Sequence, residues 1–148
     1  MQGVKVAAIQ MVSSQKIDEN LDTAERLVKK AAKNGAQLIL LPEYFSYMGE
    51  DDSTKIRIAE KNVENSSVSV TNTEIVEVQN ALSSFAKLNS TWIVGGSCSL
   101  QSHVKDKIYN SMLVFDEKGE RVGRYDKTHL FKFSTETENY DESKFIIA

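Results

Sequence analysis

The chain has 148 residues, 41% hydrophobic and 26% charged, with a formal net charge of −3 and a single cysteine, Cys98. That balance suits one folded domain with a sizeable core and excludes a wholly disordered chain. The slight acidity argues against a nucleic-acid binder and no apolar run approaches the ~20 residues that span a bilayer, while a lone thiol, which can form no internal disulfide, points to a cytoplasmic protein.

Residues 4–10 read V-K-V-A-A-I-Q, a β-rich run that predicts a mostly buried strand. Lys5 interrupts it and no A-x-A-like cleavage site follows, so it reads as a first strand and not a signal peptide. From Ile17 the apolar residues Leu21, Ala24, Val28 and Ala31 recur at steps of three and four, one stripe of a helix. Lys29, Lys30 and Lys33 fall on its solvated side. Asn34-Gly35 ends it, because glycine takes the left-handed turn without a Cβ penalty. Residues 36–41, A-Q-L-I-L-L, predict a short buried strand. Pro42, the only proline, stops its ladder for want of an N–H, and Glu43 follows directly.

Residues 44–53 read as a loop carrying Tyr44, Phe45 and Tyr47, and 54–63 as a short helix. Residues 64–70 are polar and serine-rich, an exposed connection. Thr71-Asn72-Thr73-Glu74 fits a capping box. Ile75, Val78, Leu82, Phe85 and Ala86 then mark a second amphipathic helix, ended by Asn89-Ser90. Residues 91–98 predict a strand holding Gly95 and Gly96. Residues 108–115 predict another, with a turn at D-E-K-G and a return strand over 120–125. Residues 126–139 are polar with an aromatic patch, and 144–148 open a new apolar run. Strands alternating with helices imply a sheet covered by helices. No boundary is visible, so 1–148 reads as a single domain. Its apolar last residues predict a domain truncated on the C-terminal side.

Glu43 stands at the C-terminal end of a predicted buried strand, the edge where α/β sheets bind ligands. A carboxylate there is expected to be partly desolvated and suits a general base, although a plain turn glutamate competes as a reading. Lys127, in R-Y-D-K-T-H-L-F, could hold a fixed positive charge near a reacting oxygen, and an exposed lysine after a strand is the alternative. His129 reads as a packing and hydrogen-bonding residue, and His103 as solvent-facing. Cys98, ending an apolar strand, reads as a buried small hydrophobe and not a nucleophile. Gly95-Gly96 lacks the remaining residues of a phosphate-binding loop and reads as a close backbone approach. No set of side chains has zinc or calcium spacing.

Taken together and in order, V-A-A-I-Q-M, L-I-L-L-P-E, W-I-V-G-G-S, Y-N-S-M-L-V-F-D and Y-D-K-T-H-L-F resemble the nitrilase superfamily of carbon–nitrogen hydrolases, most closely its ω-amidase-like branch. The resemblance implies an α/β fold of the α-β-β-α sandwich type. It implies hydrolysis of the C–N bond of a small amide, such as that of a dicarboxylic acid, by a Glu–Lys–Cys triad and a thioester. Glu43 matches the general base and Lys127 the lysine. Glu142, in Y-D-E-S, is similar to a second glutamate that positions substrate or assists proton transfer. The family's cysteine follows the lysine by a few tens of residues, which puts it beyond this chain and predicts that the chain alone is inactive. No metal or cofactor is implied. The expected partners are the small amide and a second copy in a homodimer, with no nucleic acid and no membrane. The competing reading is a catalytically inactive paralogue acting as a binding or scaffold module.

Overall fold

The computed structural model describes residues 3–49, 51–63 and 76–148. The serine-rich connection at 64–70 and the capping box at 71–74 lie outside them. The described elements are β1 (Val6–Ala8), α1 (Ile17–Lys33), β2 (Leu38–Leu40), α2 (Asp52–Arg57), α3 (Glu77–Asn89), β3 (Trp92–Val94), β4 (Cys98–Gln101), β5 (Ile108–Phe115), β6 (Arg121–Asp126), β7 (Lys132–Ser134) and β8 (Asn139–Asp141). The mixed α/β architecture is the one expected.

β1, β2 and β3 pair in parallel, joined by the crossover helices. β5 then runs antiparallel to β3, and β4 and β6 also pair with it. α1 and α3 pack Ala24, Val28, Leu82 and Phe85 against Ile39, Ile93 and Leu113 on one face of this sheet. The other face is open among the described residues, with Val6, Leu40, Trp92 and Tyr125 exposed on or beside it. The first two strands are therefore covered on one face only and are less buried than expected. A parallel strand loses both faces to the core only where a layer covers each.

The strand expected over 91–98 is two strands. β3 stops at Val94, the chain turns through Gly95-Gly96-Ser97, and β4 resumes beside the first half of β5. Gly96 has a φ of +46°, and a Cβ there would run into the Pro42 carbonyl oxygen. The glycine thus lets the end of β2 lie against the β3–β4 turn.

The helix expected over 54–63 shortens to α2. The chain past it brings in Glu60, whose buried carboxylate accepts from the Val78 and Gln79 backbone N–H groups at 2.5 and 3.1 Å. These are otherwise unmatched donors in the first turn of α3. Burial pushes the Glu60 carboxyl up, against the hydrogen bonds that hold it down.

The polar stretch 126–139 is not all loop, since it holds most of the β7–β8 hairpin. Phe131, Phe133 and Tyr140 pack there with ring centroids 5.7–6.1 Å apart. The strand expected to open at 144 is instead a 3₁₀ turn over Glu142–Lys144, after which Ile146 bridges Ile108. Phe145 and Ile146 are buried with Ala59 and Ile108, so this apolar run closes over the end of β5.

Candidate active site

Glu43 owes its place to three neighbours in sequence. The Leu41 N–H makes the last bond to β3, 2.9 Å from the Val94 carbonyl, and Pro42 can add none. Tyr44 then takes a φ of +54°, a left-handed conformation that costs a side-chain-bearing residue about 1–2 kcal/mol. Its N–H donates to Ser97 Oγ at 3.0 Å, which helps hold the turn. Strain of this kind persists where surrounding structure fixes it. Glu43, at this turn, lines a cleft of about 340 Å³ on the open side of the sheet, lined also by Val94, Asn110, Met112, Tyr125 and Lys127.

Lys127 enters from the end of β6, its backbone N–H bonded to the Asn110 carbonyl at 2.9 Å. Its Nζ lies 3.1 Å from Glu43 Oε1 and 2.8 Å from Glu142 Oε2. Burial works to lower the lysine's pKa, but the hydrogen bonds and charges of the two glutamates outweigh it, and the ammonium is held above the ordinary lysine range. With one N–H toward each carboxylate, the third remains for the cleft.

Glu142 opens the 3₁₀ turn, and its side chain is 3% exposed. It accepts from the Phe131 N–H at 2.6 Å, from Tyr44 Oη at 3.1 Å and from Lys127. Both its oxygens are thereby occupied. Burial, and then the charge of Glu142, push the Tyr44 phenol well up, so it remains a donor. The preceding Asp141 caps the same turn through the Ser143 N–H at 3.0 Å. Bonds from Ser143 and Lys132 hold Asp141 down at about 2.

The structure thus brings Glu43, Lys127 and Glu142, distant in sequence, around one ammonium. Glu43 itself is 52% exposed, because nothing among the described residues covers that side of the cleft. Cys98 does not line this cleft. It is buried with Sγ 3.6 Å from the Ser111 carbonyl, and burial pushes its thiol up to about 12, the nearby Glu60 adding to the shift. His129 hydrogen-bonds Thr128 at 3.1 Å as expected, but it is exposed and does not pack. His103 is exposed as expected, with Nδ1 2.9 Å from Tyr109 Oη.

Two participants escaped the sequence reading. Tyr44 was visible only as a loop aromatic. Asn110, whose Nδ2 donates to Glu43 Oε1 at 2.8 Å, sits beside Ser111 in a mainly apolar strand, and that placement is its signal. Among the described residues no group of three His, Cys, Asp or Glu side chains could hold a metal ion, and no helix is long and apolar enough to cross a membrane.

A family profile described as carbon–nitrogen hydrolase matches residues 5–147. The nitrilase homolog 2 of Dictyostelium discoideum is 37% identical over 127 residues, covering 86% of this chain and 35% of that protein. The deaminated glutathione amidase of Synechocystis is 31% identical over 144 residues, covering 96% of this chain and 48% of that protein. The crystal structure of Saccharomyces cerevisiae Nit3, a member of branch 10 of the nitrilase superfamily, superposes with a TM-score of 0.71 at 26% identity, over 86% of this chain and 45% of that one. The chain spans less than half the length of each of these relatives.

Proposed function

This chain belongs to the carbon–nitrogen hydrolase family, and from that premise we propose that it supplies the acid–base and oxyanion half of a thiol amidase acting on small amides. The observation that carries the proposal is Lys127, whose ammonium is bonded to both Glu43 and Glu142 at the floor of an open cleft. The attacking thiol is assigned to a cysteine outside these 148 residues. The support is Cys98 itself, buried away from the cleft with a thiol that resists ionisation. The 148 residues are then part of one catalytic domain and inactive alone.

The geometry is compatible with the roles that the family resemblance implies. Glu43 takes the proton of the thiol, and the thiolate sulfur bonds to the amide carbon. The carbonyl oxygen gains negative charge and meets the free N–H of Lys127. The tetrahedral species collapses, the C–N bond breaks, and the departing amine takes the proton from Glu43. Water, losing a proton to the same carboxylate, attacks the thioester, and the acid leaves as the proton returns to sulfur. Glu142, with both oxygens occupied, serves as the fixed counter-charge of Lys127 and takes no proton.

A small acidic amide is the preferred substrate class. It is supported by the deaminated glutathione amidase relative and by the resemblance of Y-D-K-T-H-L-F to the small-acid amidases. A cytoplasmic location is supported by Cys98, which is a free, buried thiol. Homodimerisation is read by light scattering on the complete protein.

The test is amide hydrolysis by the complete protein. Glu43→Gln and Lys127→Ala should each lower kcat by on the order of 10²–10⁴, and intact mass should reveal an acyl-enzyme on a cysteine other than Cys98. An active Glu43→Gln enzyme, or loss of acylation on Cys98→Ala, would sink the assignment.

A further inference from the structure

Asn110 is 3% exposed on β5, with the apolar residues Ile108, Leu113 and Phe115 buried on the same strand. Its side-chain amide is used on one side only. Nδ2 donates to Glu43 Oε1 at 2.8 Å, while Oδ1 is buried without a hydrogen-bond partner among the described residues. A buried acceptor left unpaired weakens a fold, and an aliphatic residue of similar size would avoid that loss. The position therefore favours the donor over stability.

Glu43 Oε1 receives Lys127 Nζ as well, at 3.1 Å. Both donors meet one oxygen, and no donor among the described residues is bonded to Oε2. The Asn110 carbonyl also accepts the Lys127 N–H at 2.9 Å. One residue thus bonds both the carboxylate of the glutamate and the backbone of the lysine.

We propose that Asn110 is a positioning residue that divides the labour of the Glu43 carboxylate, anchoring Oε1 so that Oε2 alone faces the thiol and the substrate. This rests on Glu43 being the general base. The amide suits the task because it is a neutral donor. It favours the anion without supplying a second titrating group to compete for the transferred proton. Aspartate would supply one, and a hydroxyl on a shorter side chain would not span the 2.8 Å bond.

The test compares Asn110→Leu, Asn110→Asp and Glu43→Gln in the complete protein with a small amide substrate. For Asn110→Leu, kcat should fall at least tenfold with KM within about threefold. The acidic limb of its kcat/KM profile should move to higher pH, since the anion has lost a donor. Its melting temperature should not fall in step, because the unpaired Oδ1 goes with the donor. For Asn110→Asp, the loss should be greatest at neutral and alkaline pH and shrink as the pH falls, when one shared proton restores a donor to Glu43. The proposal is overturned by a Leu variant with wild-type kcat and an unmoved acidic limb. An Asp variant equally impaired at every pH overturns it too, and decides the matter if the Leu variant does not fold. An active Glu43→Gln enzyme removes the general base and this proposal together. An inactive one beside an unimpaired Asn110→Leu removes this proposal alone.

Discussion

Glu43 Oε1 and Lys127 Nζ, 84 residues apart in the chain, meet at 3.1 Å, and Glu142 approaches the same ammonium from its other side. One cation thus balances an exposed carboxylate and a buried one, and the two do not depend on it equally. Glu43 can turn to water if the lysine is lost. Glu142 cannot, because its side chain is 3% exposed.

Lys127→Met should therefore destabilise the protein as well as stop the chemistry. It leaves a buried anion with only the Phe131 N–H and the Tyr44 hydroxyl, at a cost on the order of 2–3 kcal/mol. Adding Glu142→Gln removes the anion and should recover most of the lost melting temperature, with no return of activity. Thermal denaturation of the single and double variants checks this. A double variant as unstable as Lys127→Met would show that the buried charge is not the cause.

The close approach of Gly96 to Pro42 makes a second prediction. Gly96→Ala needs a positive φ and room that the Pro42 carbonyl occupies. It should cost about 2 kcal/mol or more and displace Glu43 with the turn. Gly123→Ala is the control, since a Cβ there meets Val114 at 3.4 Å, near ordinary contact, without a positive φ. Equal melting temperatures for the two variants would refute the steric account.

Much of this arrangement was legible in the chain. The stripe from Ile17, the Asn34-Gly35 stop, the D-E-K-G turn and the L-P-E block are local signals, and each describes the element that forms. Glu43, Lys127 and Glu142 could be picked out by their motifs, but their convergence on one ammonium could not. It depends on the Pro42–Gly96 contact and on the 3₁₀ turn, which are tertiary. Asn110 was missed for a related reason. A polar residue in an apolar strand signals only that something faces it, and its partner lies 67 residues earlier. The strand expected at 91–98 breaks in two because Gly95-Gly96 is compatible with a strand only until Pro42 is placed beside it.

Tyr44→Phe isolates the second anchor of Glu142. The ring and its left-handed turn remain, and only the hydroxyl bonded to Oε1 at 3.1 Å is lost. A hydrogen bond to a charged group is worth about 1.5–3 kcal/mol, and the Phe131 and Lys127 donors should limit the loss to the lower end. On the proposed mechanism the complete protein should lose about tenfold in kcat with little change in KM, as Lys127 gains freedom. Steady-state kinetics decides it, and a change confined to KM would point to direct substrate contact instead.

Cys98 separates a structural thiol from a catalytic one. Burial pushes it up from 9.0 to about 12, so at pH 8 the native thiol is almost wholly protonated as well as inaccessible. Iodoacetamide should leave Cys98 unmodified in the folded protein and label it after denaturation, with peptide mass spectrometry as the readout. The same shift sets a pH dependence. A thiol whose folded pKa lies above its unfolded one adds stability that is complete below about 9 and is lost as the pH climbs toward about 12. Cys98→Ala should accordingly flatten the alkaline fall in melting temperature over that window while lowering stability modestly at pH 7. Rapid labelling of native Cys98 at pH 8 would mean that the thiol is exposed and ionisable, and would reopen it as the nucleophile.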